Sequence, residues 1–148
     1  MKKYIAYIVL LVFLLGTGAC KKKKGDDPLP VFPAPSWVAG ETAKYPYSMT
    51  AVLQLPNSLQ AGYQPGDELG AFVDEDCRGT GVPVKVGSKM TFYVMIRGMA
   101  SEDVRVRFKY FSAKTGHIYL SGNSAEFTVD GNYGTADQPR VLDLQPQK

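Results

Sequence analysis

The sequence predicts an all-β fold, an antiparallel β-sandwich of about seven or eight short strands. Apolar and polar residues alternate with a period of two through most of the chain after residue 36. Gly, Pro, Asn and Asp interrupt this alternation frequently, as the turns of a sandwich or barrel require. Outside the N-terminal region, no stretch carries the apolar stripe of a helix. We prefer a sandwich to a barrel because several strands combine one apolar face with one polar face.

Turn residues divide the alternating region into eight predicted strands. The first alternates cleanly, with Tyr47, Met49 and Leu53 on its apolar face. The fourth is apolar on both faces, as expected for a central strand. The fifth places Val106 and Phe108 inward, and Arg107 and Lys109 outward. The predicted strands are residues 45–55, 68–73, 82–86, 90–97, 104–111, 117–120, 126–129 and 140–144.

The first twenty residues have the layout of a bacterial lipoprotein signal peptide. Two lysines precede an apolar run over residues 4–15, and small residues lead from Gly16 to Cys20. The run is too short for a bilayer span, which needs about 20 apolar residues. Thr17 stands where most lipoboxes have Leu, so the match is of the looser kind. A shortened membrane anchor with an incidental cysteine is the alternative.

A signal peptide of this kind predicts three regions. Residues 1–19 are the signal peptide, and the mature chain begins at Cys20, which carries covalent lipid. Residues 20–35 contain four lysines and four prolines, and they predict a semi-extended tether. Residues 36–148 have the size of one ordinary domain. We therefore expect a protein that is held on a membrane and does not cross it.

Charge and cysteine content limit the function of the domain. Residues 36–148 contain eleven lysines and arginines against twelve aspartates and glutamates, so nucleic acid is an unfavourable partner. Lys21 to Lys24 either contact anionic headgroups or form a solvated spacer. Cys77 is alone once Cys20 is lipidated, which excludes an intramolecular disulfide. We expect Cys77 to be a buried thiol in the core.

Residues 66–79, GDELGAFVDEDCRG, resemble a β-sandwich module of exported Bacteroidetes lipoproteins, in which a similar strand leads through an acidic turn into a CRG signature. Trp37, the segment 47–50, the segment 108–111 and the turn at 133–135 agree with that module in the same order. The resemblance covers residues 37–144. It implies a fold and an envelope location, and it implies no general activity or site.

The signature residues also have individual structural explanations. They are Gly66, Asp67, Gly70, Phe72, Cys77, Arg78 and Gly79. Glycines at 66 and 70 suit a tight turn and close packing of a neighbouring strand or ring. We expect Arg78 to pair with Asp67 or Asp76 and so to pin the turn, rather than to bind a ligand.

Aromatic side chains are the best indication of a ligand. Exposed Tyr and Trp grip sugars or peptides, and binding residues concentrate in loops. The ligand-binding candidates are Trp37, Tyr45, Tyr63 and Tyr133, all in or beside predicted loops. Trp37 has a second interpretation, as a plug at one end of the sandwich.

Neither a metal site nor a catalytic centre is well supported. The weak calcium candidates are Asp74, Asp76, Asp130 and Asp137, and ordinary turns explain all four. His117 is the single histidine, and no nucleophile elbow accompanies it. We expect no enzyme activity, no resident metal and no cofactor other than the lipid on Cys20.

The combined expectation is a lipid-anchored, non-catalytic binding module of the cell envelope. In the phylum of the resemblance, small lipoproteins accompany outer-membrane importers of the starch-utilisation type. The partner would be such an importer, and the ligand a glycan or peptide. The alternative is a structural or adhesive surface lipoprotein. An outer-membrane location is expected, with the cell surface favoured over the periplasmic face. A groove of exposed aromatics would favour a glycan, and a flat apolar patch would favour a protein partner.

Overall fold

The computed structural model describes residues 28–148 of the chain. The signal peptide, Cys20 and the first part of the predicted tether, at residues 20–27, lie outside the described residues. No helix within residues 28–148 has the length and the apolar character needed to cross a bilayer.

The described residues are almost entirely β-structure. One short helix, α1, covers Asn57–Gln60 between the first two strands. The strands are β1 (Tyr47–Gln54), β2 (Glu68–Val73), β3 (Asp76–Val86), β4 (Lys89–Gly98), β5 (Arg105–Ser112), β6 (His117–Glu126), β7 (Asn132–Tyr133), β8 (Arg140–Val141) and β9 (Leu144–Pro146).

Strand β3 joins the two halves of a single curled sheet. The strand order is β7-β1-β4-β3-β2-β5-β6-β9, and β8 also pairs with β1. Residues 76–80 of β3 pair with β2, whereas residues 81–86 pair with β4. The sheet therefore turns at the middle of β3, and β4 and β5 face each other. The rings of Phe92 and Tyr110, on these two strands, are 6.3 Å apart between centroids.

The core lies between the two halves of the curled sheet. Alternating residues of β1, β4 and β5 supply most of it, as the period-two pattern predicted. The fully buried side chains include Leu53, Phe92, Ile96, Val106 and Phe108, each with no exposed surface. The predicted all-β fold is confirmed, together with the inward faces of the first and fifth predicted strands. Tyr47 is the exception, because it lies at the open start of β1 and is exposed.

Some strands differ in extent or direction from their predictions. β3 begins at Asp76, six residues earlier than predicted, because the CRG segment continues the hairpin from β2. β6 runs continuously to Glu126, although Gly122 and Asn123 suggested a break, because these residues form a bulge opposite Phe108. The short strands β7 and β8 pair parallel to β1, so the sheet is mixed.

The segment from Pro28 to Gly40 packs along the outer surface of the β2–β5–β6 half. The Phe32 amide donates to the Gly116 carbonyl at 2.7 Å, and the Pro30 carbonyl lies 3.0 Å from His117 Nδ1. The Gly40 amide donates to the Cys77 carbonyl. Contact with the domain therefore begins at Pro30, before the predicted domain start at residue 36.

Core truncation tests the inward face of β1. We expect Leu53→Ala to lower the free energy of unfolding by about 2–5 kcal/mol, because the side chain is fully buried and leaves a cavity. Val82→Ala, on the outer face and 63% exposed, is the control, with an expected loss below about 1 kcal/mol. Urea unfolding measures both. Equal losses would show that the faces are assigned wrongly.

Candidate functional site

The outer surface of the β1–β4–β3 half carries an exposed group of apolar side chains. Val82, Val84, Met95 and Val141 are 63, 40, 57 and 54% exposed, and we call them the apolar face. Cross-strand register places Val82 beside Tyr93 and Val84 beside Thr91. The core lies on the opposite side of these strands, so burial in the core does not explain these residues. Val84 and Val141 lie at the two ends of one cross-strand row and are separated by Thr91 and Gln54, which are buried. Exposed apolar side chains on the outer surface of a sheet are typical of an interaction surface.

The two charged residues at the outward positions of β1 and β4 are both positive. The outward positions of β1 are Ser48, Thr50, Val52 and Gln54, none of them charged. Those of β4 include Lys89 and Arg97, and these five outward positions contain no acid. An apolar centre with a basic rim is complementary to an apolar surface bordered by acidic groups.

The free edge of β3 beside this face is protected against strand pairing. The Gln60 side chain accepts from the Met90 amide at 2.8 Å and donates to the Met90 carbonyl at 3.2 Å. The backbone amide and carbonyl of Met90 therefore point away from β3. Because Lys85 is the register partner of Met90, its own amide and carbonyl point toward the open edge of β3. Pro83 occupies the equivalent edge position and has no amide hydrogen. Proline and lysine are typical edge protection, so a partner would contact the face and not extend the sheet.

The four aromatic candidates do not form a common groove. Trp37 is half-buried with its ring edge against Phe72, at a centroid distance of 5.4 Å. Tyr45 is buried, and its hydroxyl donates to Asp76. Their packing with side chains of the domain accounts for the positions of both residues.

The other two aromatic candidates pack toward the core at separate places. Tyr63 lies edge-on to Phe92, and burial raises the pKa of its hydroxyl. Tyr133 stacks on Phe108, with the Arg140 guanidinium 5.5 Å from its ring. The structure therefore does not bring the four candidates together into a sugar-binding platform.

Arg78 is the centre of a buried polar cluster. Its guanidinium donates to both oxygens of Glu102, at 2.6 and 3.1 Å, and to the Arg97 carbonyl at 3.3 Å. It also stacks 3.6 Å from the Tyr45 ring centroid, and Asp76 lies 3.4 Å from its Nε. The prediction that Arg78 pins the turn through Asp76 therefore holds in part, but the closer partner is Glu102.

Asp67, the other predicted partner of Arg78, belongs to a different cluster. It is buried and accepts from the Tyr110 hydroxyl, the Ala113 amide and the Gln64 amide. Three donors satisfy a carboxylate that would be costly to bury alone. Burial, followed by the hydrogen bond to Asp67, raises the pKa of Tyr110. Of the two partners that the sequence left open for Arg78, the structure therefore gives Asp76, since Asp67 accepts hydrogen bonds from residues around the start of β2 and the end of β5.

The remaining signature residues stand where chain segments approach closely. A Cβ on Gly79 would lie 2.3 Å from the Met95 carbonyl oxygen, and a Cβ on Gly70 would lie 2.5 Å from the Phe72 ring. A Cβ on Gly66 would lie 3.1 Å from Ala113 Cβ. Cys77 is half-buried and outside the core, contrary to expectation, because it pairs with Phe72 on the outer side of β2. Burial raises the pKa of its thiol.

The four calcium candidates occupy turns or engage other side chains. Asp74 and Asp130 have positive φ angles of 52° and 56°, as turn residues do. Asp76 interacts with Tyr45, and this hydrogen bond contributes most to lowering the pKa of its carboxyl. Asp137 is exposed in the loop before β8. Within residues 28–148, no three His, Cys, Asp or Glu side chains are grouped as metal ligands would be.

An open cleft of about 650 Å³ lies on the outer surface near the start of β5. Its walls carry both signs of charge, and its floor includes Val104 and Leu120. Lys109, in this cleft, is paired with Glu75 at 2.7 Å. The cleft lining residues are Val73, Asp74, Glu75, Asp103, Val104, Arg105, Arg107, Phe108, Lys109, Leu120, Ser121 and Gln147. Because opposite charges line it, the cleft favours no single ligand charge.

Comparison with known proteins finds no matching family model, no matching curated protein and no matching solved structure. The functional assignment therefore depends on the surfaces described above.

The ion pair between Arg78 and Glu102 predicts a specific pH dependence of stability. The hydrogen bond from Arg78 holds the pKa of Glu102 below its ordinary value of 4.5. Its stabilising contribution is therefore complete above pH 4.5 and is lost as the pH falls through the lower folded-state pKa. We expect Glu102→Gln to cost about 1–3 kcal/mol at pH 7, and less at low pH.

The control for this prediction is Glu75→Gln, which removes an acid that is 90% exposed. Its expected effect is below about 1 kcal/mol at pH 7, because exposed ion pairs contribute little. Thermal or urea unfolding across the acid range measures both variants. A Glu102→Gln cost that stays constant as the pH falls would contradict the assigned role of this ion pair.

Proposed function

We propose that the protein is a lipid-anchored, non-catalytic binding module of the cell envelope that docks onto a protein partner. The observation that carries the proposal is the apolar face formed by Val82, Val84, Met95 and Val141. Exposed apolar side chains such as these lose unfavourable contact with water when a partner covers them. Arg97, on the same side of β4 as Met95, favours a partner surface with an acidic group beside its apolar centre.

The geometry supports a protein partner more than direct capture of a glycan. A flat apolar patch favours protein contact, whereas the four candidate aromatics lie apart and pack against the domain itself. In our proposal the protein is an accessory subunit of an outer-membrane uptake system for glycans or peptides. The nutrient contacts the importer, and this module contacts the importer through its apolar face. An adhesive surface lipoprotein is the second candidate, and the same face favours it.

The docking surface is tested with the variant Met95→Lys. The side chain is 57% exposed, so we expect the fold to be unchanged and partner binding to be reduced at least tenfold. Met99→Lys is the matched control, because Met99 is 46% exposed and lies outside the apolar face. The measurement is gentle detergent extraction of the tagged lipoprotein, with quantitative mass spectrometry of bound proteins.

Site-specific photocrosslinking at Val82 identifies which recovered protein lies on the face. The expected result is stoichiometric recovery of one outer-membrane protein, crosslinked at Val82, lost in Met95→Lys and retained in Met99→Lys. Recovery of the unaltered protein without any partner would contradict the accessory-subunit proposal and leave the adhesive candidate. A partner retained equally by both variants would exclude this face as the docking surface.

The lipid anchor is tested separately with Cys20→Ala. The expected result is release from membranes or accumulation of an uncleaved precursor, because the lipid acceptor is lost. Membrane fractionation and the intact mass of the protein report both outcomes. Normal fractionation of Cys20→Ala at the mature mass would contradict the lipoprotein proposal.

A further inference from the structure

Four segments that lie outside or at the tips of the long strands meet at one end of the domain. The Gln60–Met90 hydrogen bonds join α1 to the β3–β4 hairpin. The Asp67–Ala113 hydrogen bond joins the residues before β2 to the β5–β6 turn. The Phe32–Gly116 hydrogen bond places the N-terminal segment at the same turn. We call the residues 28–35, 55–67, 85–89 and 113–116 the basic end.

The exposed charges of the basic end are all positive. They are Lys85 and Lys89 beside the hairpin tip, and Lys114 in the β5–β6 turn. The one acid in these described segments is Asp67, which is buried and hydrogen-bonded. Val86, which is 48% exposed, adds an apolar side chain at the hairpin tip between the two lysines.

The opposite end of the domain is acidic. Its connections contain six Asp or Glu residues, in the segment before β1, the β2–β3 turn, the β4–β5 connection and the β6–β7 turn. They are Glu41, Asp74, Glu75, Glu102, Asp103 and Asp130. Arg105 is the basic residue closest to them in sequence, and Lys44, three positions after Glu41, is paired with Asp76. A charge distribution of this kind orients a protein in the field of an anionic surface.

The path of the chain brings the basic end close to the membrane. Pro28, the first described residue, precedes the contacts of Pro30 and Phe32 with the β5–β6 turn. Seven residues lie between Cys20 and Pro28, so the eight chain steps that join them reach at most about 29 Å when fully extended. A domain anchored at Cys20 therefore holds its basic end near the headgroups, and Lys21 to Lys24 lie on the path between them.

We infer that the basic end docks onto an anionic lipid bilayer, with Lys85, Lys89 and Lys114 against the headgroup phosphates and Val86 at the interface. This inference rests on the lipid anchor of the proposed function. Docking orients the molecule so that its acidic end points away from the bilayer. The apolar face on the side of the domain is then presented to a neighbouring membrane protein.

Lysine acetylation of the full-length lipidated protein tests the docking. The protein is reconstituted in vesicles of phosphatidylcholine, with or without phosphatidylglycerol, and labelled with a water-soluble acetylating reagent. The expected result is severalfold slower acetylation of Lys85, Lys89 and Lys114 in the phosphatidylglycerol vesicles. Lys44, at the acidic end and 65% exposed, is the internal control and should react at the same rate in both.

A charge variant separates electrostatic docking from simple shielding. In Lys85→Gln/Lys89→Gln, protection of Lys114 by phosphatidylglycerol should fall by about fivefold per removed charge. Equal acetylation of the three lysines in both vesicle types would overturn the inference. Protection of these lysines in cells, without protection in either vesicle type, would also overturn it, because the basic end would then contact a protein. Flotation of the vesicles checks the anchor independently. Protein that floats without protection contradicts only the docking, and protein that fails to float contradicts the anchor.

Discussion

The passage of β3 from one half of the sheet to the other is the constraint on which the rest of the structure depends. Residues 76–80 of β3 pair with β2, and residues 81–86 pair with β4, so this one strand connects the two halves of the sheet that enclose the core. The turn requires glycine, because a Cβ at Gly79 would meet the Met95 carbonyl and one at Gly81 would press on Phe92 and Leu69. Without this close approach, β4 and β5 could not face each other.

Two buried polar clusters hold the strands that meet at this turn. Arg78 ties β3 to the β4–β5 connection through Glu102, and Asp67 ties the start of β2 to the end of β5 through Tyr110 and Ala113. Each cluster supplies partners for charges that would otherwise be buried alone. The residues of the GDELGAFV and CRG segments therefore have structural roles, and the conformation of this region does not require a ligand.

The sequence pattern predicted the strands and their inward faces but not the long-range partners. Period-two alternation places Val106 and Phe108 inward whatever the topology, since it is a local property of a strand. The partner of Arg78 is 24 residues away, in a connection that carries no strand pattern. The valines at 82 and 84 were missed as a surface, because alternation alone does not tell which face of a strand meets the core. Pro83 and Lys85 were the available signal, since both are typical of an open strand edge.

If the chain is anchored at Cys20 as proposed, the packed N-terminal segment links the fold to its orientation at the membrane. A proline-rich stretch that extended freely from Cys20 would separate the domain from the bilayer by the length of sixteen residues. Contacts at Pro30 and Phe32 instead attach the chain to residues 116 and 117, so the proline-rich stretch does not extend freely over its whole length. In a chain anchored at Cys20, the same few hydrogen bonds therefore determine which end of the domain lies nearest the anchor. In such a chain, the path of the N-terminal segment determines which end of the domain faces the bilayer. The lysines of the basic end then add electrostatic attraction at an end that is already close to the headgroups.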